Sequence, residues 1–525
     1  MSAVNPAAVR GANPVVTMAA VLLAVLVVPM SISGAAMALP AIGADLNASL
    51  APLQWVVNAF NLTFAAFTLA WGSLADLFGR RRAFAAGAAI YAAASVLSAV
   101  ANDVLILDVA RGLAGAGGAA VFSCGAAIVA TTYDGPARAR AFALFGTTAG
   151  LGVALGPTVA GGLTGAFGWR SVFVLNAVVL AVVLVAVPFM AGDRDAPAGA
   201  TRPRVDWTGI GIFVISLFVL MLGVVQGPQW GWASGRVLAL FAASAVLFAL
   251  FVVVERRQAQ PMLDLSLFRQ PRFMALCLVP VAASFGFVTM LTYLPTYFVG
   301  ADGRSSQTAG ALMLLLTLPV LVCPLLAGRL VTAGVPDRVV LLVSMVFLVA
   351  GDAWLTVLHP GAGVATIVGP MLLVGAGMGL SAGLVDGMAI GAVPQQQAGM
   401  AAGLLNTLRL GSEAVAVAAV GSLLASFVRG RLDDDVARYT TASPDEVANQ
   451  VATGDVAGAA AGVAPASRPG YTDFLADALT GTFHSVLWIM AVICAVATVA
   501  VWALLRRGRT AAPSPAEAAP AATGS

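Results

Sequence analysis

The sequence predicts an all-α protein that crosses a membrane many times, that is, a polytopic membrane protein. Of its 525 residues, 60% are hydrophobic and 10% are charged, whereas a soluble protein carries about 25% charged residues. So few charges could not cover a soluble core of this size, but a surface that faces lipid needs none. The apolar residues also recur in runs of about 20, the length at which a helix spans a bilayer.

Fourteen apolar runs are each long enough to form a membrane-spanning helix. They cover 15–40, 54–74, 83–101, 104–130, 141–166, 171–191, 207–225, 237–254, 273–298, 308–331, 339–358, 364–392, 400–428 and 483–505. We group them into a six-helix half at 15–191, an inserted pair with its flanking loops at 192–272, and a second six-helix half at 273–505. A short N-terminal segment, 1–14, precedes them, and the Ala- and Pro-rich tail at 506–525 is expected to be disordered.

The even number of spans places both termini on one side of the membrane, and the arginines indicate which side. With a cytoplasmic N-terminus, eighteen arginines lie in cytoplasmic segments and seven lie outside, four of these in one long loop at 429–473. Short cytoplasmic loops are enriched in arginine, and long loops weigh little in this rule. We therefore predict that both termini are cytoplasmic and that the protein lies in the cell membrane.

The long loop at 429–473 contains three consecutive aspartates at 433–435 and many Ala, Gly and Ser residues. Such a composition buries little apolar surface, so it predicts a flexible, solvated loop. A small external cap is the alternative.

The composition excludes several kinds of chemistry. All 27 basic residues are arginine, so a P-loop lysine and a lysine Schiff base are both excluded. Only two histidines, His359 and His484, are present, and the four cysteines lie far apart within apolar runs. These residues form no pattern typical of a His-based catalytic group or a zinc site. We expect no enzymatic reaction, no metal, no cofactor and no nucleic-acid partner.

The junction between the second and third helices carries an ordered motif. Its residues are Gly72, Leu74, Ala75, Asp76, Gly79, Arg80, Arg81 and Arg82. Glycines permit a tight turn, and arginines anchor a loop at anionic lipid headgroups. The motif resembles the loop between helices 2 and 3 of the major facilitator superfamily, a family of transporters in which this loop belongs to the conformational switch. The resemblance implies the major facilitator fold, in which two six-helix halves rock around a central site.

A weak internal repeat supports two halves. Gly72, Leu74 and Arg82 recur 256 residues later, and the second set consists of Gly328, Leu330 and Arg338. Many transporters are built from such repeats and bind their substrate between them.

A second motif lies in the fifth helix. Its residues are Gly152, Gly156, Pro157, Ala160, Gly161 and Gly162. It resembles the antiporter motif of the same superfamily, with an alanine in place of the first paired glycine. Together with the following Trp169, Arg170, Phe173 and Asn176, it is similar to the branch of fourteen-helix drug:proton antiporters, which implies export. The alternative is ordinary packing of small residues, because these also let helices approach closely.

Ionisable residues in the membrane are the candidates for the site. Arg111 in the fourth helix matches the buried arginine of the superfamily, with Asp108 one turn before it. In the fourteen-helix branch the first helix carries an acid that often serves proton coupling or cation recognition, but Ser31 stands at that position and can only form hydrogen bonds. We predict that Ser31, Arg111 and Asp386 contact the substrate.

The resemblance also indicates which carboxylates could carry protons. In the superfamily, the first helix of each three-helix repeat lines the cavity, here the first, fourth, ninth and twelfth helices. Asp386 in the twelfth and Asp108 in the fourth are therefore the best-placed candidates. Glu413 in the thirteenth is a third, although Arg409 stands four residues before it and could pair with it. Asp352 in the eleventh helix is expected to be peripheral or near the outer water.

These features predict a secondary active exporter, working as a monomer, that releases lipophilic drugs or antibiotics in exchange for protons. An importer or uniporter of a small metabolite on the same fold is the alternative, and the motif in the fifth helix argues against it. Because the usual acid of the first helix is missing, we expect neutral or weakly acidic compounds to be preferred over quaternary ammonium dyes.

Overall fold

The computed structural model of the chain describes residues 13–46, 50–190, 206–258, 263, 265–394, 397–432, 436, 439–440, 442–452 and 454–510. In this part of the chain the helices are α1 (Pro14–Leu46), α2 (Leu50–Phe78), α3 (Arg80–Val100), α4 (Val104–Thr132), α5 (Gly135–Phe167), α6 (Arg170–Ala186), α7 (Trp207–Trp230), α8 (Gly235–Glu255), α9 (Pro271–Ala283), α10 (Thr289–Gly300), α11 (Ser306–Thr332), α12 (Asp337–Trp354), α13 (Val364–Ser381), α14 (Leu384–Gly391), α15 (Ala398–Leu432), α16 (Pro444–Ala452), α17 (Val456–Ala460) and α18 (Arg468–Thr510). A π-helical turn, Ser284–Val288, joins α9 to α10.

The structure confirms an all-α protein with many membrane-spanning helices. Within the described residues, twelve helical segments are long and apolar enough to cross a membrane, or thirteen if the two parts of α5, bent by 40°, form one span. A helix also lies at each of the fourteen predicted positions. Fourteen spans and cytoplasmic termini stay predictions.

The two halves of the bundle use the same helix pairings. In the first half, α2 packs on α4, α3 packs on α4 and α6, and α1 packs on α5 and α6. In the second half, α11 packs on α13, α12 packs on α13 and α18, and α9 packs on α15 and α18. The halves meet where α2 packs on α15 and where α5 packs on α11. The two contacts are equivalent, so the space between them is a pseudo-symmetric site of the kind that repeat-built transporters use.

Helices α7 and α8 form a hairpin beside one of these contacts. They pack on each other, and α7 also contacts α2 and α15. At the α7–α8 junction, Trp232 Nε1 donates a hydrogen bond of 2.6 Å to Ser422 Oγ of α15. The inserted pair is therefore attached to the outside of the α2–α15 contact.

The end of α1 is tied to the start of α6. Asp45 accepts hydrogen bonds from Arg170 at 2.6 Å and from Trp169 Nε1 at 3.0 Å. These bonds, that from Arg170 above all, lower the pKa of Asp45. Because a lowered pKa keeps the carboxylate ionised, the contact persists at mildly acidic pH and is lost only as the pH falls through that lowered value.

The segment after α15 is folded, and the prediction of a solvated loop is wrong for its described residues. Helix α15 continues to Leu432, and α16 and α17 follow before α18 begins. Val451 and Tyr471 are fully buried, and the Tyr471 ring stacks on Tyr439 with 4.9 Å between ring centres. A few apolar residues among the alanines and glycines thus close a small core, which we call the cap (described residues 436–467). The aspartates at 433–435 lie outside the described residues.

The described contacts of the cap are with the second half. Helix α16 contacts α15, and α17 contacts α18. Gly454, which joins α16 to α17, has a φ of 85°, and a side chain there would lie 2.8 Å from the carbonyl oxygen of Thr296 in α10. At the other end of the second half, α18 continues to Thr510, so the first residues of the predicted disordered tail are helical. Residues 1–12 and 511–525 lie outside the described part of the chain.

Candidate functional site

A cavity of about 360 Å³ lies between the two halves. Helices α1, α2, α4 and α5 form one wall, and α9, α10, α11, α13, α14 and α15 form the other. Most of the lining is apolar and includes Phe64, Phe122, Phe145 and Phe287. Its volume and apolar lining are typical of a site for a drug-sized molecule.

An ion pair lies in the second-half wall. Arg409 Nη2 of α15 donates to both carboxylate oxygens of Asp386 in α14, at 3.0 and 3.1 Å. Its Nη1 donates to Asn406 Oδ1 at 2.6 Å. Ion pairs inside a membrane are rare and usually mark a transport pathway. Asn406 was missed in the sequence; the signal was a polar residue one turn before Arg409 in an apolar run.

A break in the twelfth predicted helix positions Asp386. The break between α13 and α14 includes Gly383, whose φ of 75° favours glycine. Asp386 consequently falls in the first turn of α14, where the positive end of the helix dipole stabilises a carboxylate.

Glu413 lies on the same cavity wall, one turn beyond Arg409. The predicted pair between Arg409 and Glu413 does not form, because Arg409 binds Asp386 instead. Among the described residues Glu413 makes no ion pair within 4.0 Å. The wall therefore carries one paired and one unpaired carboxylate on neighbouring helices.

A polar cluster in the first half surrounds Ser31. Its hydroxyl accepts hydrogen bonds from Arg111 Nη1 at 2.9 Å and from Asn176 Nδ2 at 3.0 Å. Arg111 also donates to the carbonyl oxygen of Val56, and its guanidinium lies 4.4 Å from the centre of the Phe60 ring. Ser31 and Arg111 are almost completely buried and are not among the described residues that line the cavity. The expectation that Arg111 faces the cavity is therefore not met in this conformation.

Asp108 lies apart from this cluster. Its Oδ1 atom is buried and has no hydrogen-bond partner within the described residues. No ion pair joins it to Arg111, and it is absent from the described cavity lining. Its role as a proton carrier stays a prediction.

The motif between α2 and α3 forms a sharp turn at Gly79, with a φ of 97°. Gly72 is buried in α2, and Arg81 Nη1 donates to the carbonyl oxygen of Met190 after α6 at 3.3 Å. Arg80 begins α3, while the side chain of Asp76 lies outside the described residues. Gly334 makes a turn with the same φ between α11 and α12, one residue before the position that the 256-residue repeat pairs with Gly79. The role of this motif in conformational switching stays a prediction.

The glycines of the α5 motif are not equivalent. A Cβ at Gly152 would lie 2.5 Å from the carbonyl oxygen of Leu26, and one at Gly156 would overlap with the Ser33 hydroxyl, both on α1. A Cβ at Gly161 would meet no atom within 4 Å. Pro157 is in the bent part of α5. Close packing of α5 on α1 therefore requires the first two glycines but not the third.

This difference leads to a prediction about folding. We expect Gly156→Val to destabilise the protein by about 1–3 kcal/mol, because an overpacked contact forces the two helices apart. Gly161→Val adds the same side chain to the same helix in open space, so its thermal stability should stay close to that of the wild type. Melting temperatures of the purified variants in detergent test this, and equal melting temperatures for the two variants would contradict it.

The described residues contain no group of three or more His, Cys, Asp or Glu side chains that could hold a metal ion. What the structure does bring together is two pseudo-symmetric helical halves, an apolar cavity and intramembrane charges, which define a membrane transporter. Residues 21–417 match the Major Facilitator Superfamily. The chain belongs to this superfamily, and it is a multi-pass protein of the cell membrane.

Several bacterial relatives are transport proteins. The multidrug resistance protein Stp of Mycobacterium tuberculosis (strain CDC 1551 / Oshkosh) is 32% identical over 405 residues, which cover 76% of this chain and 73% of Stp. The probable actinorhodin transporter of Streptomyces coelicolor is 32% identical over 420 residues, 77% of this chain and 72% of that protein. The multidrug efflux pump LfrA of Mycolicibacterium smegmatis is 29% identical over 427 residues, 80% of this chain and 82% of LfrA.

Solved structures support the fold alone. The human organic anion transporter MFSD10 has a TM-score of 0.57 at 15% identity and covers 91% of this chain and 99% of its own. The proton:xylose symporter XylE has a TM-score of 0.58 at 13% identity and covers 93% of this chain and 95% of its own. Both agree with the predicted major facilitator fold.

Proposed function

We propose that this transporter exports lipophilic drugs or antibiotics from the cell in exchange for protons. The observation that carries the proposal is the Asp386–Arg409 pair in the wall of an apolar cavity between the two halves. The cavity offers apolar surface to a lipophilic compound, and the carboxylate offers a place for a proton. The name of the relative LfrA, a multidrug efflux pump, favours the outward direction.

The coupling we propose is a change of partner by Arg409. When Asp386 takes up a proton, it loses its charge and no longer holds the guanidinium. Glu413 stands four residues from Arg409 on the same helix, where an arginine can reach it. A cation inside a membrane needs such a partner in every state. Protonation of Asp386 thereby alters the cavity wall that the compound touches. This change couples binding of the proton to binding of the compound.

Two halves of one chain enclose the cavity, so a monomer is sufficient for this cycle. Alternating access follows if the halves rock at the α2–α15 and α5–α11 contacts. We retain fourteen spans and cytoplasmic termini as part of the proposal, since they agree with the arginine distribution in the loops.

Transport in inverted membrane vesicles tests the function. Vesicles from cells that express the chain should accumulate chloramphenicol when their interior is made acidic, and a protonophore should abolish the accumulation. Vesicles without the chain are the control. Accumulation that ignores the pH gradient would contradict proton exchange, and accumulation only with the opposite gradient would indicate an importer.

The charges of the wall lead to a prediction about substrate preference. In the proposed exchange Asp386 and Glu413 serve in turn as the partner of Arg409, and the described first-half lining of the cavity contains no carboxylate. A carboxylate at position 31 would lie beside Arg111. We expect wild-type cells to export the neutral chloramphenicol faster than dequalinium, a permanent dication. Ser33 lines the cavity whereas Ser31 does not. Ser33→Asp should therefore raise dequalinium efflux, and Ser31→Asp should leave it within about twofold.

Efflux from whole cells measures this preference. Equal protein abundance of the two aspartate variants is the control. Dequalinium efflux that already exceeds chloramphenicol efflux in the wild type would contradict the prediction.

A further inference from the structure

Asp352 of α12 is a buried carboxyl group that the proposed exchange at Asp386 does not use. It was expected to be peripheral or near the outer water, and its side chain is 0% exposed, so it does not contact the outer water. It also lies outside the described lining of the cavity. Its Oδ2 atom lies 3.8 Å from the thiol of Cys494 in α18, whose closer acceptor is the carbonyl oxygen of Ala282 at 3.4 Å. Its Oδ1 atom has no hydrogen-bond partner within the described residues.

These contacts do not suit a structural role. A thiol is a weak donor, and no ion pair or helix cap in the described chain involves Asp352. An ionised carboxylate with such partners is among the costliest groups to keep inside a membrane. These surroundings favour the neutral carboxylic acid, whose O–H bond holds one proton.

The elements packed against Asp352 bring no charge to it. Helix α13 and the π-helical turn contain no ionisable residue. On α18, Cys494 faces it, whereas His484 contacts the carbonyl oxygen of Leu358 beyond the end of α12, at 2.7 Å. Other charged residues on these helices lie far along the chain from this level or are paired. Arg272 of α9, Arg329 of α11, and Asp337 and Arg338 of α12 lie near the start of α12, and Asp386 of α14 is paired with Arg409. On α18, Arg468, Asp473 and Asp477 lie in the first turns, and Arg506, Arg507 and Arg509 lie in the last turns.

The π-helical turn separates Asp352 from the cavity. On one side of the turn, a Cβ at Gly286 would lie 2.9 Å from Asp352 Oδ2 and 3.0 Å from Cys494 Sγ. On the other side, Phe287 and Val288 line the cavity. The backbone of the turn at Gly286 therefore lies between the carboxyl group and the residues that line the cavity. Such turns contain one extra residue, and they frequently occur at functional sites.

The same turn is connected to the ionisable wall. Ser284, the first residue of the turn, shares a hydrogen bond of 2.8 Å with Ser412 of α15, the residue before Glu413. If the extra residue is absorbed and the turn becomes α-helical, the following side chains rotate by about 100°. Rotation at the turn would thus change the cavity lining and, at the same time, the backbone at Gly286 that packs against Asp352.

We propose that Asp352 is a second proton-binding site of this transporter, reached from the cavity through the π-helical turn at Gly286. When the turn rearranges, the O–H bond of Asp352 breaks, the proton passes to water admitted from the cavity, and a carboxylate remains until it takes up another proton. This inference rests on the proposed proton exchange and adds a carboxyl group to it.

Infrared spectroscopy of the purified full-length chain in lipid nanodiscs tests proton binding without any substrate. The wild type should show a carboxylic acid C=O band that disappears at alkaline pH, and Asp352→Asn should lack this band. Cys494→Ser keeps the carboxyl group and replaces the weak thiol donor by a stronger hydroxyl donor, so it should shift the band. A wild-type spectrum without such a band, or a band that Cys494→Ser leaves in place, would overturn the proposal even if Asp352→Asn does not fold.

Transport in inverted vesicles tests the coupling. Asp352→Asn should reduce pH-gradient-driven accumulation of chloramphenicol by about tenfold or more, the loss expected when a typical coupling between two sites is removed. Exchange of labelled for unlabelled chloramphenicol without a gradient needs no net proton movement and should stay within about twofold. Ser344→Ala removes another buried polar group of α12 and should change neither rate.

The results separate the two proposals. If the wild type does not accumulate chloramphenicol with a pH gradient, the proposed function fails, and the infrared bands still decide whether Asp352 binds a proton. If the wild type accumulates it and Asp352→Asn does so at the same rate, the role of Asp352 is wrong. If Asp352→Asn loses both exchange and accumulation, its role is structural, and this result would also overturn the inference.

Discussion

Replacing Asp386 by Asn is expected to abolish most pH-gradient-driven accumulation in inverted vesicles, by about tenfold or more. Asparagine cannot bind the exchanged proton, and it leaves Arg409 free to turn to Glu413. The variant should therefore resemble the proton-loaded transporter at all times. Exchange of compound without a gradient should continue, because that process needs no cycle of protonation.

Two variants serve as controls for Asp386→Asn. Asp386→Glu keeps a carboxylate and should retain part of the accumulation. Glu413→Gln leaves the Asp386–Arg409 pair in place but removes the second partner of the guanidinium, so it should slow accumulation while exchange without a gradient continues. Normal accumulation by Asp386→Asn would transfer the coupling role to Asp108 or Glu413.

Replacing Gly383 by Ala is expected to have an effect of similar size for a different reason. A Cβ at this position would overlap with the carbonyl oxygen of Phe142 in α5, and the φ of 75° disfavours any side chain. Backbone strain and overpacking together cost about 2 kcal/mol or more. This cost falls on the conformation in which α14 touches α5. The variant should therefore shift the conformational equilibrium away from that conformation and lose most transport.

Gly391→Ala is the matched control for Gly383→Ala. It lies at the other end of α14, and its Cβ would make an ordinary contact of 3.8 Å with Arg138 Nη1. We expect this variant to transport at close to the wild-type rate. Accumulation in inverted vesicles, normalised to protein abundance, compares the two. Equal rates would show that the close approach at Gly383 is not needed for the cycle.

The sequence was sufficient for the fold because lipid imposes a simple rule on helices. Each span must be apolar over about 20 residues, so the fourteen runs from 15–40 to 483–505 can be recognised directly from the hydropathy along the sequence. Two of these runs contain breaks, one between α9 and α10 and one between α13 and α14, which could not be found in this way. Hydropathy measures how apolar a segment is, not whether its helix is continuous. Their signals were local ones, Pro280 shortly before the π-helical turn and Gly383 between α13 and α14.

The site was harder to predict than the fold, because a position on a helix does not give its partner. Helical spacing paired Arg409 with Glu413, whereas the tertiary contact brings Asp386 from another helix. The resemblance singled out Ser31, but the face of α1 that lines the cavity carries Ser33 instead. Asp386 and Glu413 could be singled out as candidates from the sequence, because a charged residue stands out in an apolar run whichever face of the helix it occupies.

The cap gives this protein a folded epitope, which the predicted topology places outside the lipid. Because Gly454 packs on α10 and α16 packs on α15, an antibody fragment bound to the cap would move as one body with the second half. Such a fragment would provide a fixed landmark for aligning particle images in electron microscopy. A fluorophore on the fragment and another on the first half would then report the rocking of the halves as a change in energy transfer. The cap thus makes the motion of the transport cycle observable without any label inside the membrane.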